Sequence, residues 1–406
     1  MNFKSLYDEY HNKKLNCDIT KNFKLNRVLL GSGGSINIVL DVTDKENNRL
    51  IIKVLPDIIY TNVKIKPDLS QLEIKFYQFL TKKYVLTDRT PHIVGMFNHQ
   101  ICPRVDKLLA DIKPSKKKCP SYGDQLTKKL DLTRADYMIC DLLLRHEMKL
   151  IGPTFDMILL EFCDDELTNL ITWYMEGIRV YKGNKLKMII DDFIYDLSRI
   201  LFQIIFTLAI IKEDYPGFLH GDFFVRNILL SFHKNYQNND YVAYHYKQKI
   251  FYLPANGHYA KINDFGLSMI VDELEPKTYE MEKHIHKYYH KNPFNEKTDI
   301  FNLLHDIYDG QNLGTMSINR LAQVMKMTAK KVKPVRNYLS MLLDVNVIDH
   351  INEINPGLLN QTWDIDEIDV LEDTVETPHK YLMGDYFSPY QTLPKNANVV
   401  RHYNNN

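Results

Sequence analysis

The chain has no net charge: 51 lysines and arginines balance 51 aspartates and glutamates. A neutral chain gives no electrostatic ground for nucleic acid or a membrane surface as partner, and neither is expected. It also has no unbroken apolar run long enough to span a bilayer. The longest, Ile200–Ile211, contains Gln203 and Thr207 and falls short of the roughly 20 residues a spanning helix needs, so no transmembrane segment is expected. The opening MNFKSLYDEYHNKK lacks an apolar signal region, and a soluble intracellular chain is the expectation. Cysteine is scarce. Cys17, Cys102, Cys119, Cys140 and Cys163 include no close pair at metal-ligand spacing, and reduced thiols are expected. His284, His286 and His290 cluster without a Cys or carboxylate at ligand spacing. That favours a solvated or substrate-facing loop over a zinc site. There is no internal repeat.

What is present is ordinary in bulk and specific in detail. Hydrophobic residues make up 45% and charged residues 25%, which are globular values. A length of 406 residues leaves room for two or more domains. The specific signal is His220-Gly221-Asp222-Phe223-Phe224-Val225-Arg226-Asn227, followed later by Asp264-Phe265-Gly266. Phosphoryl transfer needs positioned charge more than covalent help. Asp222 suits a carboxylate that accepts or orients a substrate hydroxyl. Asn227, five residues on, and Asp264, from another loop, suit oxygen ligands of magnesium. Apolar elements frame both motifs. Residues 197–211 read as a buried helix, Ile228-Leu229-Leu230 as a strand leaving the loop, and Tyr259-Ala260-Lys261-Ile262 as a strand delivering Asp264.

The N-terminal half offers a nucleotide site. Gly31-Ser32-Gly33-Gly34 lies between two apolar runs, Val28–Leu30 and Ile36–Leu40, the second of which carries Ile38. Glycines let backbone N–H groups approach phosphate oxygens, although taken alone they fit an ordinary hairpin turn equally well. Lys53 ends the apolar strand Leu50-Ile51-Ile52-Lys53-Val54, where a lysine would otherwise point to solvent. Glu73 offers it a partner, on a segment whose Leu72, Phe76, Phe79 and Leu80 recur at helical spacing. Such a pair would aim the ammonium at the α- and β-phosphates. Phe155–Cys163 reads as a strand running into a linker, and Asp164–Trp173 as a helix opening with acidic residues.

From about Phe23 to Phe387 the order of these elements resembles a protein kinase. Asp299, in Lys297-Thr298-Asp299-Ile300, resembles the buried aspartate that opens the central helix and braces the catalytic loop. Thr377-Pro378 resembles the start of the final helix and also suits an N-cap with proline at the first helical position. Phe218-Leu219-His220, the long insertion before Asp264 and the aromatic-rich approach to Asp299 are similar to serine/threonine kinases of large DNA viruses, including poxvirus virion kinases.

The resemblance implies an α+β, bilobal protein-kinase-like fold, with a β-rich N-lobe, a mainly helical C-lobe and two insertions. It implies an N-terminal extension at 1–22, an N-lobe at 23–163 with an insertion at 98–154, a C-lobe at 164–387 with an insertion at 231–258, and a flexible tail at 388–406. The second insertion reads as a projecting hairpin. The Lys116-Lys117-Lys118 run reads as a solvated loop, and Asn319–Arg336 as a helical stretch with a basic, solvated face. The resemblance also implies Mg2+ and ATP, with backbone groups of Glu161 and Cys163 on adenine and Leu160 at the back of the pocket. The implied partners are protein substrates, viral structural proteins among them, in the host cytoplasm or the virion.

The sequence departs from the family pattern at several points. Ile36 stands at the third glycine, Gly221 at the arginine before the catalytic Asp, and Phe224 at the lysine two residues after it. Arg226 is either a surface arginine or a replacement charge at the γ-phosphate. No Ala-Pro-Glu precedes Asp299, although Lys291-Asn292-Pro293-Phe294 lies nearby. Without an arginine at 221, phosphorylation at Ser268, Thr278 or Tyr279 would add charge beside no designated partner. Two other readings compete with an active serine/threonine kinase. A pseudokinase scaffold would explain the missing pieces, but it has no need of Lys53, Glu73, Asp222, Asn227 and Asp264 together. An aminoglycoside-type phosphotransferase would suit His-Gly-Asp, but not the Asp299 helix or the Thr-Pro helix.

Overall fold

The computed structural model describes residues 3–30, 37–59, 69–113, 119, 133–270, 273–274, 296–309, 317–344 and 375–404. The chain divides into two compact units, one of residues 1–78 and 94–162, the other of 79–93 and 163–406.

In the first unit, α1 (Phe3–Tyr10) and α2 (Ile19–Asn22) precede strands β1 (Lys24–Leu30), β2 (Ile38–Thr43) and β3 (Arg49–Ile58). Helix α3 (Leu69–Leu80), β4 (Met96–Pro103), α4 (Val105–Ile112), α5 (Arg134–Glu147) and β5 (Ile151–Glu161) follow. The strands form one antiparallel sheet ordered β1-β2-β3-β5-β4. Leu50, Ile52 and Val54 of the central strand are fully buried, as the apolar run predicts. Leu72, Phe76 and Leu80 recur every four residues along α3 and are all buried.

The first insertion is shorter than the sequence implied. Residues 98–103 belong to β4 and 151–154 to β5, so the insertion lies between these strands, with α4 and α5 among its described residues. Thr133 caps α5 by accepting the Asp136 N–H. The N-terminal extension is part of this unit's core. Tyr10 is buried, and the Asn98 amide donates to the carbonyls of Tyr10 at 2.5 Å and Lys13 at 2.8 Å. The Gln100 amide bonds both backbone groups of Leu15, at 3.0 and 2.8 Å.

This alignment corrects the cysteine expectation. Cys17 is bonded to Cys102, 85 residues on, and Cys119 to Cys140. Only Cys163 stands outside the disulfides. The Cys17–Cys102 pair was not legible in local spacing, because β4 and the chain before β1 meet only in the folded unit.

The second unit contains β6 (Asp165–Glu166), α6 (Leu167–Val180), α7 (Gly183–Asp214), β7 (Phe218–Leu219), β8 (Ile228–His233), β9 (Asp240–Tyr246), β10 (Lys249–Pro254), β11 (Gly257–Ile262) and β12 (Met269–Ile270). It ends with α8 (Thr298–Tyr308), α9 (Ile318–Val324), α10 (Ala329–Leu339), α11 (Pro378–Met383) and β13 (Asn398–Tyr403). Among the described residues α7 is the one helix long and apolar enough to cross a membrane, yet 78% of its apolar window is buried inside the protein. It is the core helix, as the residues of 197–211 suggested.

Three further expectations change. The second insertion is a β9–β10 hairpin turning at Lys247-Gln248, and it packs inward rather than projecting: Tyr244 meets Phe202 and Phe206 edge-on. The segment 388–406, expected to be a flexible tail, carries β13, which pairs in parallel with β9. The basic stretch Asn319–Arg336 is broken between α9 and α10. Its Lys331 donates to the Ile178 and Arg179 carbonyls at 2.9 and 2.7 Å, closing the C-terminal carbonyls of α6 instead of lying in solvent. The Thr377 cap forms as its residues imply, with the side chain accepting the Lys380 N–H ahead of Pro378.

Candidate active site

In the first unit, Lys53 lies mid-strand on β3, opposite Val39 of β2 and Ile158 of β5. Its ammonium meets the Glu73 carboxylate at 2.5 Å, and both residues are buried. A strand lysine therefore finds its counter-charge one helix away instead of solvent, and desolvation makes each partner depend on the other. Ile38 of β2 and Leu160 of β5 are buried in the same sheet. The Glu161 N–H donates to the Gly95 carbonyl at 2.9 Å, and the Glu161 carboxylate accepts the Gly95 N–H at 3.2 Å. These bonds fix the end of β5. The glycine turn, Gly31, Ser32, Gly33 and Gly34, lies outside the described residues, as do Thr278, Tyr279 and the three clustered histidines. Cys163, half-buried, opens the longer segment of the second unit.

In the second unit, β7 leads into the loop that carries Asp222. Arg226 donates to Asp222 Oδ1 at 2.5 Å, and Asn227 Nδ2 to Asp222 Oδ2 at 2.8 Å and to the Asp222 carbonyl at 2.6 Å. The one-turn helix Val225–Asn227 produces this clustering by bringing positions four and five residues on back over Asp222. The Arg226 side chain is partly exposed. The guanidinium is held on Asp222 and lies 4.9 Å from the Phe224 ring. With its nitrogen on Asp222, Asn227 keeps the amide oxygen, a hard donor suited to magnesium, as the other end of the same group. Asp264 has a left-handed backbone, φ 65°. That conformation is unusual for a residue with a side chain and recurs at functional sites.

Buried polar groups hold the loop from behind. Asp299 and Asp306 on α8 are both fully buried. Asp299 accepts the His220 N–H at 3.0 Å, and Asp306 accepts the Val225 N–H at 2.9 Å. The Lys212 ammonium of α7 donates to the Phe218 carbonyl at 2.9 Å and lies 3.9 Å from Asp299. Burial pushes the His220 imidazole below its ordinary value against the pull of Asp299 and Asp222. The ring is therefore neutral. Its Nδ1 accepts the Asp222 N–H at 3.3 Å, and its Nε2 donates to the Asn263 carbonyl at 3.0 Å. His220 thus ties the loop of Asp222 to the residue before Asp264, and the Asn263 N–H donates to the Asn227 carbonyl at 3.0 Å.

Gly221 is more than a lost arginine. Its φ is 80°, and a Cβ built there would lie 2.1 Å from the Leu267 carbonyl oxygen. The chain after Asp264-Phe265-Gly266 presses on the loop at this point: β12 pairs with β7, and Ser268 donates to the His220 carbonyl at 2.9 Å. Ser268 is fully buried, which removes it as an accessible phosphorylation position. Sequence reading found Asp299 and missed Asp306, Lys212 and the close approach at Gly221. Asp306 stood seven residues after Asp299 on one apolar helix, two turns on and on the same face, and that spacing was the available signal.

No protein-family model matches the chain. It is 47% identical over 405 residues to a mimivirus (Acanthamoeba polyphaga mimivirus) protein named "Putative serine/threonine-protein kinase R301", covering 100% of this chain and 99% of that one. A second mimivirus protein, "Putative serine/threonine-protein kinase R400", is 35% identical over 80 residues, or 19% of this chain and 17% of its own.

Proposed function

Since the chain belongs to the protein-kinase family of these mimivirus proteins, we propose that it transfers the γ-phosphoryl group of Mg-ATP to serine and threonine hydroxyls of proteins. The observation that carries this reading is the Asp222 carboxylate, held by Arg226 and Asn227 within one turn of chain. Asp222 orients the attacking hydroxyl and takes its proton as the new P–O bond forms and the bond to the ADP leaving group breaks. Arg226 keeps the carboxylate aimed and places positive charge where the transferred group carries negative charge. Asn227 and Asp264 are the oxygen ligands for magnesium, which when bound neutralises phosphate charge. Lys53, oriented by Glu73, aligns the α- and β-phosphates. The family resemblance supports backbone groups of Glu161 and Cys163 as the adenine contacts, Ile38 and Leu160 as apolar walls, and Gly31, Ser32, Gly33 and Gly34 as the phosphate-binding turn. The substrates are proteins of an infected cell or of a virion.

The test is incubation of purified protein with Mg-ATP labelled at the γ-phosphate, a panel of proteins and a panel of aminoglycosides. Label on serine or threonine supports the reading. Label on sugar replaces it with a small-molecule phosphotransferase, and label nowhere with a scaffold.

A further inference from the structure

Helix α3, which carries Glu73, does not end at a loop. It runs without a break into a π-helical turn, Thr81–Val85, a geometry frequent at functional sites. That turn is moored. Tyr84 donates to Asp214 at the end of α7 at 3.0 Å, and the Lys83 ammonium bonds the Tyr215 hydroxyl at 2.7 Å. Arg89 also binds Asp214.

The last described residues of the chain grip the segment just beyond that turn. Strand β13 lies parallel to β9, with Tyr403 opposite Tyr244 and buried. From it Arg401 donates to the Asp88 carboxylate at 2.5 Å. The Asn404 N–H donates to the Asp88 carbonyl at 3.0 Å, and Arg89 Nε donates to the Asn404 side-chain oxygen at 3.0 Å. Asp88 has a left-handed backbone, φ 56°, a conformation that a non-glycine residue keeps when its surroundings impose it.

We propose that β13 is a positioning strap for phosphoryl transfer: Arg401 and Asn404 clamp the Asp88-Arg89 turn that terminates the helix of Glu73, and so hold Glu73 in register with Lys53. This rests on the kinase reading. The strap costs little to release, because Arg401 and its partner Asp88 are exposed enough for water to compete. What it contributes is order at the end of a helix, and a small displacement of an aligning residue lowers the rate far more than it lowers stability.

The test compares wild type, Arg401→Ala combined with Asn404→Ala, Arg401→Lys, and the double substitution on a Glu73→Gln background. The double substitution should lower kcat about tenfold with KM for ATP little changed, and Arg401→Lys should recover most of the rate. On the Glu73→Gln background the same substitution should lower kcat no further, because the strap acts through Glu73. Amide hydrogen exchange, which needs no activity, should quicken across residues 69–90 and stay unchanged in α7 and β8. Unaltered kcat, a loss that adds in full to Glu73→Gln, or unaltered exchange at 69–90 would each overturn the strap. If wild type transfers no phosphate, the kinase reading fails, and the exchange result alone decides whether the strap orders α3.

Discussion

The two units hold their candidate reactive side chains by different means. In the first, alignment rests on one side chain meeting another between a strand and a helix, Lys53 on Glu73. In the second, buried carboxylates and a neutral imidazole grip the backbone of the loop itself, at His220, Asp222 and Val225. A side-chain pair breaks with one substitution or one helix displacement. A loop bonded through its backbone at several points stays formed when a single reactive side chain is changed. The catalytic loop should therefore tolerate isosteric changes structurally while losing chemistry, and the Lys53–Glu73 pair should lose alignment.

The largest effects test the loop. Asp222→Asn should lower kcat by roughly 10²–10⁴-fold while nucleotide binding and melting temperature stay near wild type. Asp264→Asn should lower kcat on a similar scale, roughly 10²–10³-fold, and weaken Mg-ATP binding as well, measurable by titration calorimetry. Wild-type phosphorylation by both variants would remove the assignment.

Next come the partners in the first unit. Lys53→Met should lower kcat by roughly 10²-fold and Glu73→Gln by about tenfold. The double variant should match Lys53→Met alone, since Glu73 acts by orienting Lys53. Additive losses in the double-mutant cycle would separate the two residues functionally.

A smaller effect sharpens the contrast. Gly221→Arg restores the residue usual in the family, and at an ordinary site it would be harmless or helpful. Here the added Cβ meets the Leu267 carbonyl, so it should destabilise by about 1–3 kcal/mol and lower kcat. Increased activity would show that the close approach is not required.

The smallest effect is graded by pH. Burial depresses the pKa values of His92 and His220, and brings His233 and His305 down to about 4. Below the ordinary histidine value near 6.5 the unfolded chain takes up protons that the fold refuses, so stability falls as pH drops from about 6.5 toward 4. Each of His233 and His305 should account for about 2 kcal/mol by pH 5, and thermal melts at pH 7.5 and pH 5 would measure the loss. His305→Asn should flatten the profile. A melting temperature that held or rose toward pH 5 would contradict it.

Much of this was written in short stretches of sequence. Leu72, Phe76 and Leu80 announced the helix that presents Glu73, and the apolar run around Lys53 announced its strand. Thr377-Pro378 announced a cap. Each depends on neighbours within about a helical turn, where backbone periodicity alone decides which side chains meet. Asp299 was legible through its resemblance to the buried aspartate of the kinase fold.

What lay beyond the sequence was every feature that two distant segments make together. The Cys17–Cys102 disulfide joins residues 85 apart, and β13 finds β9 across more than a hundred residues. Lys331, one basic residue among several, is set apart by the open carbonyls of α6. The glycine at 221 read as an absence until Leu267 was seen against it. The sequence by itself determined the candidate groups, because those groups sit in local patterns that backbone geometry enforces. Tertiary structure alone decided what holds them in place, because packing and long-range pairing depend on which surfaces meet after folding.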